Sequence, residues 1–107
     1  MNEHQKLDKL SLEYHKLISA KLKKDPELLK PVICNLRSAI EKLKSAGDHP
    51  SAYIEWLQIL ETQSLDQIHS ILCNEDENST RLRQSGPFHG IMTEEERQEI
   101  LHRIFKK

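Results

Sequence analysis

The sequence predicts an all-α protein. Apolar residues recur at steps of three and four along most of the chain, which is the period of an amphipathic helix. Proline, glycine and capping serine or threonine residues divide this pattern into separate segments. No stretch alternates as a half-buried strand would, and 107 residues are enough for one small core. We therefore expect a single helical domain over residues 1–107.

The first two helices are expected to form an N-terminal αα-hairpin. The stripe of the first, over residues 3–24, is Leu7, Leu10, Tyr14, Leu17, Ile18 and Leu22. Asp25 and Pro26 end this helix and start the next, because aspartate caps helices and proline suits the first helical position. Gly47 is a candidate left-handed cap for the second helix. Pro31 indicates either a kink or a short turn before the main helix, and the tight turn predicts antiparallel packing.

A third and a fourth helix, both short, follow the hairpin. The third is expected over residues 51–61, and we interpret its Trp56, the only tryptophan, as a core anchor. Ser64 and Gln67 form a capping box that starts the fourth helix. The short turn between these helices leaves open a DNA-binding helix-turn-helix. However, the fourth helix has no arginine or lysine to attract a DNA backbone.

Residues 74–92 are predicted to be a linker followed by an irregular loop. The segment begins with the run NEDENST, which contains no apolar residue and indicates a linker or a helix cap. Gly86 and Pro87 then disfavour a regular helix. Thr93 and Glu96 form a capping box for a C-terminal helix, which completes the expected fold.

The composition limits the class of protein. Only 36% of the residues are hydrophobic and 31% are charged, so we expect a thin core that favours association with another protein or with a second copy. The basic residues are too dispersed for a dedicated nucleic-acid-binding protein. No apolar run reaches the roughly 20 residues of a membrane helix. Cys34 and Cys73 follow no secretory leader, so we expect a cytoplasmic protein without a membrane partner.

The sequence contains no recognisable catalytic, cofactor or metal motif. His69 and Cys73 are one helical turn apart, but two ligands do not complete a zinc site. Ser85 and His89 do not make a catalytic triad, and no glycine-rich motif could hold a nucleotide phosphate. The other histidines, including His15, are expected at solvated helix surfaces or ends. We therefore expect a protein that is not an enzyme and has neither cofactor nor metal.

The irregular loop supports two interpretations. In the first, it is a structural crossover in which Phe88 fills the space between helices while Arg81 and Arg83 pair with acidic residues of the same chain. In the second, Phe88 is an exposed apolar anchor flanked by arginines, a composition found at protein-binding hot spots. Both interpretations stay open from the residues alone.

The run RLRQSGPFHGIMTEEER, at residues 81–97, resembles the ending RLRQSSPFAGVLTPEER of a family of small, uncharacterised bacterial helical proteins. Further matches are DPELL at residues 25–29, NL at residues 35–36 and EWLQIL at residues 55–60, in the same order. Such proteins are encoded beside toxin genes, often of the abortive-infection nucleotidyltransferase class. The resemblance implies an antitoxin-like companion of a toxin, and we hypothesise that it binds this partner and neutralises it by occlusion.

The resemblance also implies a partner-binding site in the loop. The residues that we assign to this site are Arg81, Arg83, Gln84, Ser85, Pro87, Phe88, Gly90 and Arg97. In this hypothesis Phe88 is buried against the toxin, and Arg81 and Arg83 pair with acidic groups of the toxin. The chain departs from the family pattern at Gly86, His89 and Pro31. The alternatives are a DNA-binding transcriptional regulator and a self-associating structural helical module.

Overall fold

The computed structural model describes residues 2–88 and 90–106, which form an all-α fold. Its helices are α1 (Glu3–Lys24), α2 (Leu29–Ser45), α3 (Ser51–Thr62), α4 (Leu65–Cys73), α5 (Glu77–Arg83) and α6 (Glu94–Phe105). A 3-10 turn, Pro26–Leu28, joins α1 to α2. The predicted fold class is therefore confirmed. None of the helices in the described part of the chain has the length and apolarity required to cross a membrane.

The helix ends follow local signals in the sequence. The side chains of Ser64 and Thr93 each accept a hydrogen bond from the backbone N–H three residues later, at 3.2 and 3.1 Å. Gly47 has a φ of 88°, which confirms the left-handed cap after α2. Pro31 lies in the first turn of α2, where a backbone N–H would have no partner within the helix. The short turn, rather than a kink, is thus the outcome at this proline.

The two long helices differ from the expected hairpin in how they pack. α1 packs mainly against α4, α5 and α6, whereas α2 packs against α3, and the two meet mainly through the 3-10 turn. The buried face of α1 includes Leu12, His15 and Ser19, while Leu7 of the predicted stripe is 51% exposed. Short helices are marginal by themselves and depend on packing for their stability. A long α1 that supports three of them satisfies this requirement.

One hydrophobic cluster contains residues from each of the helices α1, α2, α3, α4 and α5, together with Phe88 from the segment after α5. Trp56 of α3 is fully buried within it, which confirms the prediction of a core anchor. Its indole Nε1 donates a hydrogen bond of 2.8 Å to the carbonyl of Leu82 in α5. This bond satisfies the buried indole N–H and fixes the end of α5 on the core.

The segment predicted to be a linker and a loop, residues 74–92, contains α5. Asp76 caps this helix, since its carboxylate accepts hydrogen bonds from the backbone N and the hydroxyl of Ser79 at 2.8 and 3.0 Å. These bonds hold the pKa of Asp76 below its usual value. The polar run therefore contains the cap and the first turn of α5, and the irregular part is shorter than expected. Residues 84–93, which lie between α5 and α6, are called the crossover below.

Candidate functional site

Phe88 holds the crossover to the core. Its side chain is only 3% exposed. Its ring meets those of Trp56 and His15 edge to face, with centroid distances of 5.2 and 6.1 Å. Aromatic rings favour this geometry because the positive edge of one faces the negative face of the other. The structure thus agrees with the interpretation of a structural crossover, and the buried ring is not accessible as a docking anchor.

Arg83 is also buried, and it caps the C-terminal end of α4. Its side chain is 5% exposed, and its Nη1 donates hydrogen bonds to the carbonyls of Ile71, at 2.9 Å, and Asn74. Its Nη2 donates to Thr80 Oγ1 at 3.2 Å. The last carbonyls of a helix lack partners within the helix and carry partial negative charge, so a cation suits this position. Arg83 therefore acts within the chain instead of pairing with acidic groups of a partner.

Arg81 is exposed and lies on the opposite side of α5, where it bonds to α3. Its Nη1 and Nη2 donate to the two carboxylate oxygens of Glu55, both at 2.9 Å, and Nη2 also donates to Asn78 at 2.8 Å. The hydrogen bonds from Arg81 hold the pKa of Glu55 below its usual value. This two-point geometry is the strongest form of an arginine–carboxylate pair. The predicted pairing within the chain is present, with a residue of α3 as the partner.

Lys21 of α1 attaches the far end of the crossover. Its Nζ donates to the carbonyl of Ile91 at 3.0 Å and pairs with the carboxylate of Glu96 in α6. The bond from Lys21, together with the capping bonds at Thr93, holds the pKa of Glu96 below its usual value. No local pattern in the sequence marks Lys21 as a site residue, because its partners lie 70 or more residues away.

His15 lies beneath the crossover and corrects the expectation of a solvated histidine. Its side chain is 8% exposed, and its Nδ1 donates a hydrogen bond of 2.7 Å to the carbonyl of Ser11. Burial lowers the pKa of His15, and the charge of Arg83 acts in the same direction. Burial thus favours the neutral ring, and the bond to the Ser11 carbonyl places its proton on Nδ1. His15 lies between Leu12 and Ser19 on the buried face of α1, and these steps of three and four residues are the signal in the sequence for that face.

Gly86 is required by the close approach of the crossover to this histidine. A Cβ atom at Gly86 would lie only 2.7 Å from His15 Nε2, a distance at which the two groups overlap. The glycine, one of the departures from the family pattern, thus fits the buried ring of this chain. Gly90 has a different role, because its φ of 91° lies in the left-handed region that other residues rarely adopt.

A cleft of about 380 Å³ opens between α1, the crossover and the start of α6. The predicted site residues that line it are Arg83, Gln84, Phe88, Gly90 and Arg97. The guanidinium of Arg97 lies 5.4 Å from the centre of the Tyr14 ring, and its Nε is 3.6 Å from a carboxylate oxygen of Glu94. The exposed lining of the cleft therefore consists of Gln84, Gly90, Glu94 and Arg97.

The remaining predicted residues lie outside the cleft. Ser85 and Pro87 are half-buried, and the hydroxyl of Ser85 lies 3.4 Å from the carbonyl of Leu82, to which it donates. Arg81 faces α3, as described above. His89 lies outside the residues that the structure describes. The structure thus divides the predicted site into buried anchors, an exposed part at the cleft and an arginine on another face.

The third and fourth helices do not pack on each other as a paired helix-turn-helix, since their main contacts are with other helices.

His69 of α4 faces α1, where its Nδ1 contacts the hydroxyl of Ser19. The same Nδ1 lies 3.8 Å from Cys73 Sγ of α4. Within residues 2–88 and 90–106, no three histidine, cysteine or acidic side chains are grouped as metal ligands would be. The side of α4 that faces α1 is thus occupied by packing within the chain.

The fold and the site define a small all-α protein whose irregular crossover is held on the core beside an open cleft. Comparison with protein-family models, with curated proteins and with solved structures finds no match to this chain. The family resemblance of residues 81–97 therefore stays a prediction.

Proposed function

We propose that the chain is a protein-binding, antitoxin-like component of a bacterial toxin–antitoxin pair. The observation that supports this proposal best is that the crossover is irregular and yet held firmly. Phe88 and Lys21 attach it to the core, Arg83 of the preceding helix bonds to the end of α4, and Gln84 and Arg97 stay exposed. Irregular segments on rigid scaffolds commonly carry binding functions. A segment that is already ordered also loses little conformational freedom when a partner docks.

The proposed docking surface consists of the exposed residues Gln84, Gly90, Glu94 and Arg97 at the cleft, together with the half-buried Tyr14. Arginine and tyrosine are enriched at protein interfaces, and here they form a preformed pair. An acidic group of the partner would meet Arg97, while Phe88 and Arg83 would act from inside by holding the surface in shape. The partner would be a toxin, of the nucleotidyltransferase type if the resemblance extends that far, and binding would occlude its active surface.

The test is to co-express the tagged chain with the product of its neighbouring gene and to purify the complex by affinity. Mass spectrometry should identify one stoichiometric partner that is retained at high salt. Arg97→Glu should weaken binding at least about tenfold, a loss of roughly 1.4 kcal/mol. The matched control is Arg103→Glu, which makes the same charge change at an exposed position of α6 outside the cleft.

Other outcomes would favour the alternatives. A chain that purifies alone as a tight oligomer would favour a self-associating module. Co-purifying DNA that dissociates as salt is raised would favour a transcriptional regulator, since phosphate contacts are lost in salt. Equal weakening by Arg97→Glu and Arg103→Glu would contradict the cleft as the docking surface.

A further inference from the structure

His15 is buried against the crossover with one ring nitrogen already hydrogen-bonded. Its Nδ1–H is used in the bond to the carbonyl of Ser11. Its Nε2 faces Gly86 across a gap too small for a methyl group, since a Cβ there would stand 2.7 Å away. The edge-to-face contact with Phe88 adds a third restraint on the same ring. A second proton, which must go on Nε2, would therefore lie against the crossover.

The charged groups around this ring oppose its protonation. Arg83 of α5 lines the same cleft and repels a positive charge on His15. From α6 the cleft receives Arg97 and Glu94, but that carboxylate is mostly exposed and lies beside the arginine. Tyr14 is the titratable neighbour on α1 itself. Among the described residues, no carboxylate accepts a hydrogen bond from the ring, so a protonated His15 would be a second cation without a partner.

We propose that the crossover is an acid-sensitive clasp, in which protonation of His15 releases residues 86–88 from α1 and exposes Phe88 and Trp56. Water can solvate the imidazolium once the crossover has lifted, so protons bind the open state more tightly than the closed state. By linkage, acid shifts the population toward the open state. This device does not depend on the identity of any partner.

Trp56 is a built-in reporter, because it is the only tryptophan and is fully buried against Phe88. Its fluorescence should be recorded between about pH 8 and pH 5, the range in which histidines titrate. The emission should shift to the red with a midpoint below the usual histidine value of about 6.5. The far-ultraviolet circular dichroism should be retained, because the helices themselves stay folded.

Two variants separate His15 from the other histidines. His15→Asn keeps an N–H that can reach the Ser11 carbonyl and cannot be protonated, so the red shift should disappear. His102→Asn removes an exposed histidine of α6 and should leave the shift unchanged. A red shift that persists in His15→Asn would overturn the proposal, as would constant Trp56 emission in the wild type or loss of helix signal at the same midpoint.

A measurement on the wild-type chain keeps the proposal testable if His15→Asn does not fold. The ring resonances of His15 can be followed by nuclear magnetic resonance through the same titration. Their midpoint should coincide with that of the Trp56 emission. Separate midpoints, or a His15 ring that stays neutral while the emission shifts, would contradict the clasp.

Discussion

Truncation of Phe88 to alanine tests whether this side chain belongs to the core or to a docking surface. Only 3% of the Phe88 surface is exposed to solvent in the structure. It contacts Trp56 and His15 edge to face, so Phe88→Ala removes both aromatic contacts and leaves a cavity beneath the crossover. We expect a large loss of stability in the free protein, without any partner present.

The magnitude follows from the size of the buried ring. Removal of a buried phenylalanine ring costs about 3–5 kcal/mol, which includes the lost transfer free energy and the cavity. Domains of this kind have total stabilities of about 5–15 kcal/mol, so the variant should lose a large share of its free energy of unfolding. Each kcal/mol corresponds to about 4 °C or more in a small domain. The Tm should therefore fall by more than about 12 °C.

Urea unfolding followed by circular dichroism measures this free energy directly. The matched control is Met92→Ala, which truncates a half-buried apolar side chain of the same crossover and should cost clearly less. A loss below about 1 kcal/mol for Phe88→Ala would refute the reasoning, because a change that small is typical of exposed positions. Retained stability together with lost partner binding would restore the interpretation of Phe88 as a docking anchor.

Three further predictions concern contacts that position the crossover and the helix before it. Gly86→Ala should destabilise the fold by about 1–3 kcal/mol, because the added methyl group overlaps His15. Arg83→Met should cost about 1–3 kcal/mol, since it removes a buried guanidinium that donates to the carbonyls of Ile71 and Asn74 at the end of α4. Lys21→Met should destabilise the protein at neutral pH. Because the pKa of Glu96 is lowered, this pair stabilises the fold above pH 4.5 and is lost as the pH falls further, so the two proteins should converge in acid.

Each of these predictions has its own control. A smaller residue in place of His15 should recover part of the cost of Gly86→Ala, and strictly additive effects would argue against their contact. Arg103→Met changes an exposed arginine of α6 and should alter stability by less than about 0.5 kcal/mol. If Arg83→Met changed stability no more than Arg103→Met does, the role of Arg83 as a cap of α4 would be excluded. A constant difference between wild type and Lys21→Met across the acid range would exclude the pair with Glu96.

Much of the local structure could be predicted from the sequence because its causes lie within a few residues. Asp25 and Pro26 end one helix and start another, and the serine and threonine caps at Ser64 and Thr93 bond to amides three residues away. Trp56 was predictable as a core residue because a large ring on an apolar stripe is usually buried. These signals require no knowledge of how the helices are arranged.

The packing and the candidate site depend on contacts between distant parts of the chain. The face of α1 that is buried is decided by α4, α5 and α6, so the predicted stripe through Leu7 did not reveal His15. Arg83 could be assigned as a cap only once the end of α4 was known. A phenylalanine between two glycines suits a core and an interface equally well, and only the position of the Trp56 ring distinguishes them for Phe88.

Hydrogen exchange of the free chain and of its complex would test the central claim most directly. If the crossover is a preformed docking surface, partner binding should slow exchange at residues 90–97 while the amide of Phe88 stays as protected as in the free chain. Faster exchange at Phe88 in the complex, or protection confined to helices outside the cleft, would contradict a partner-binding surface held in place by the protein's own core.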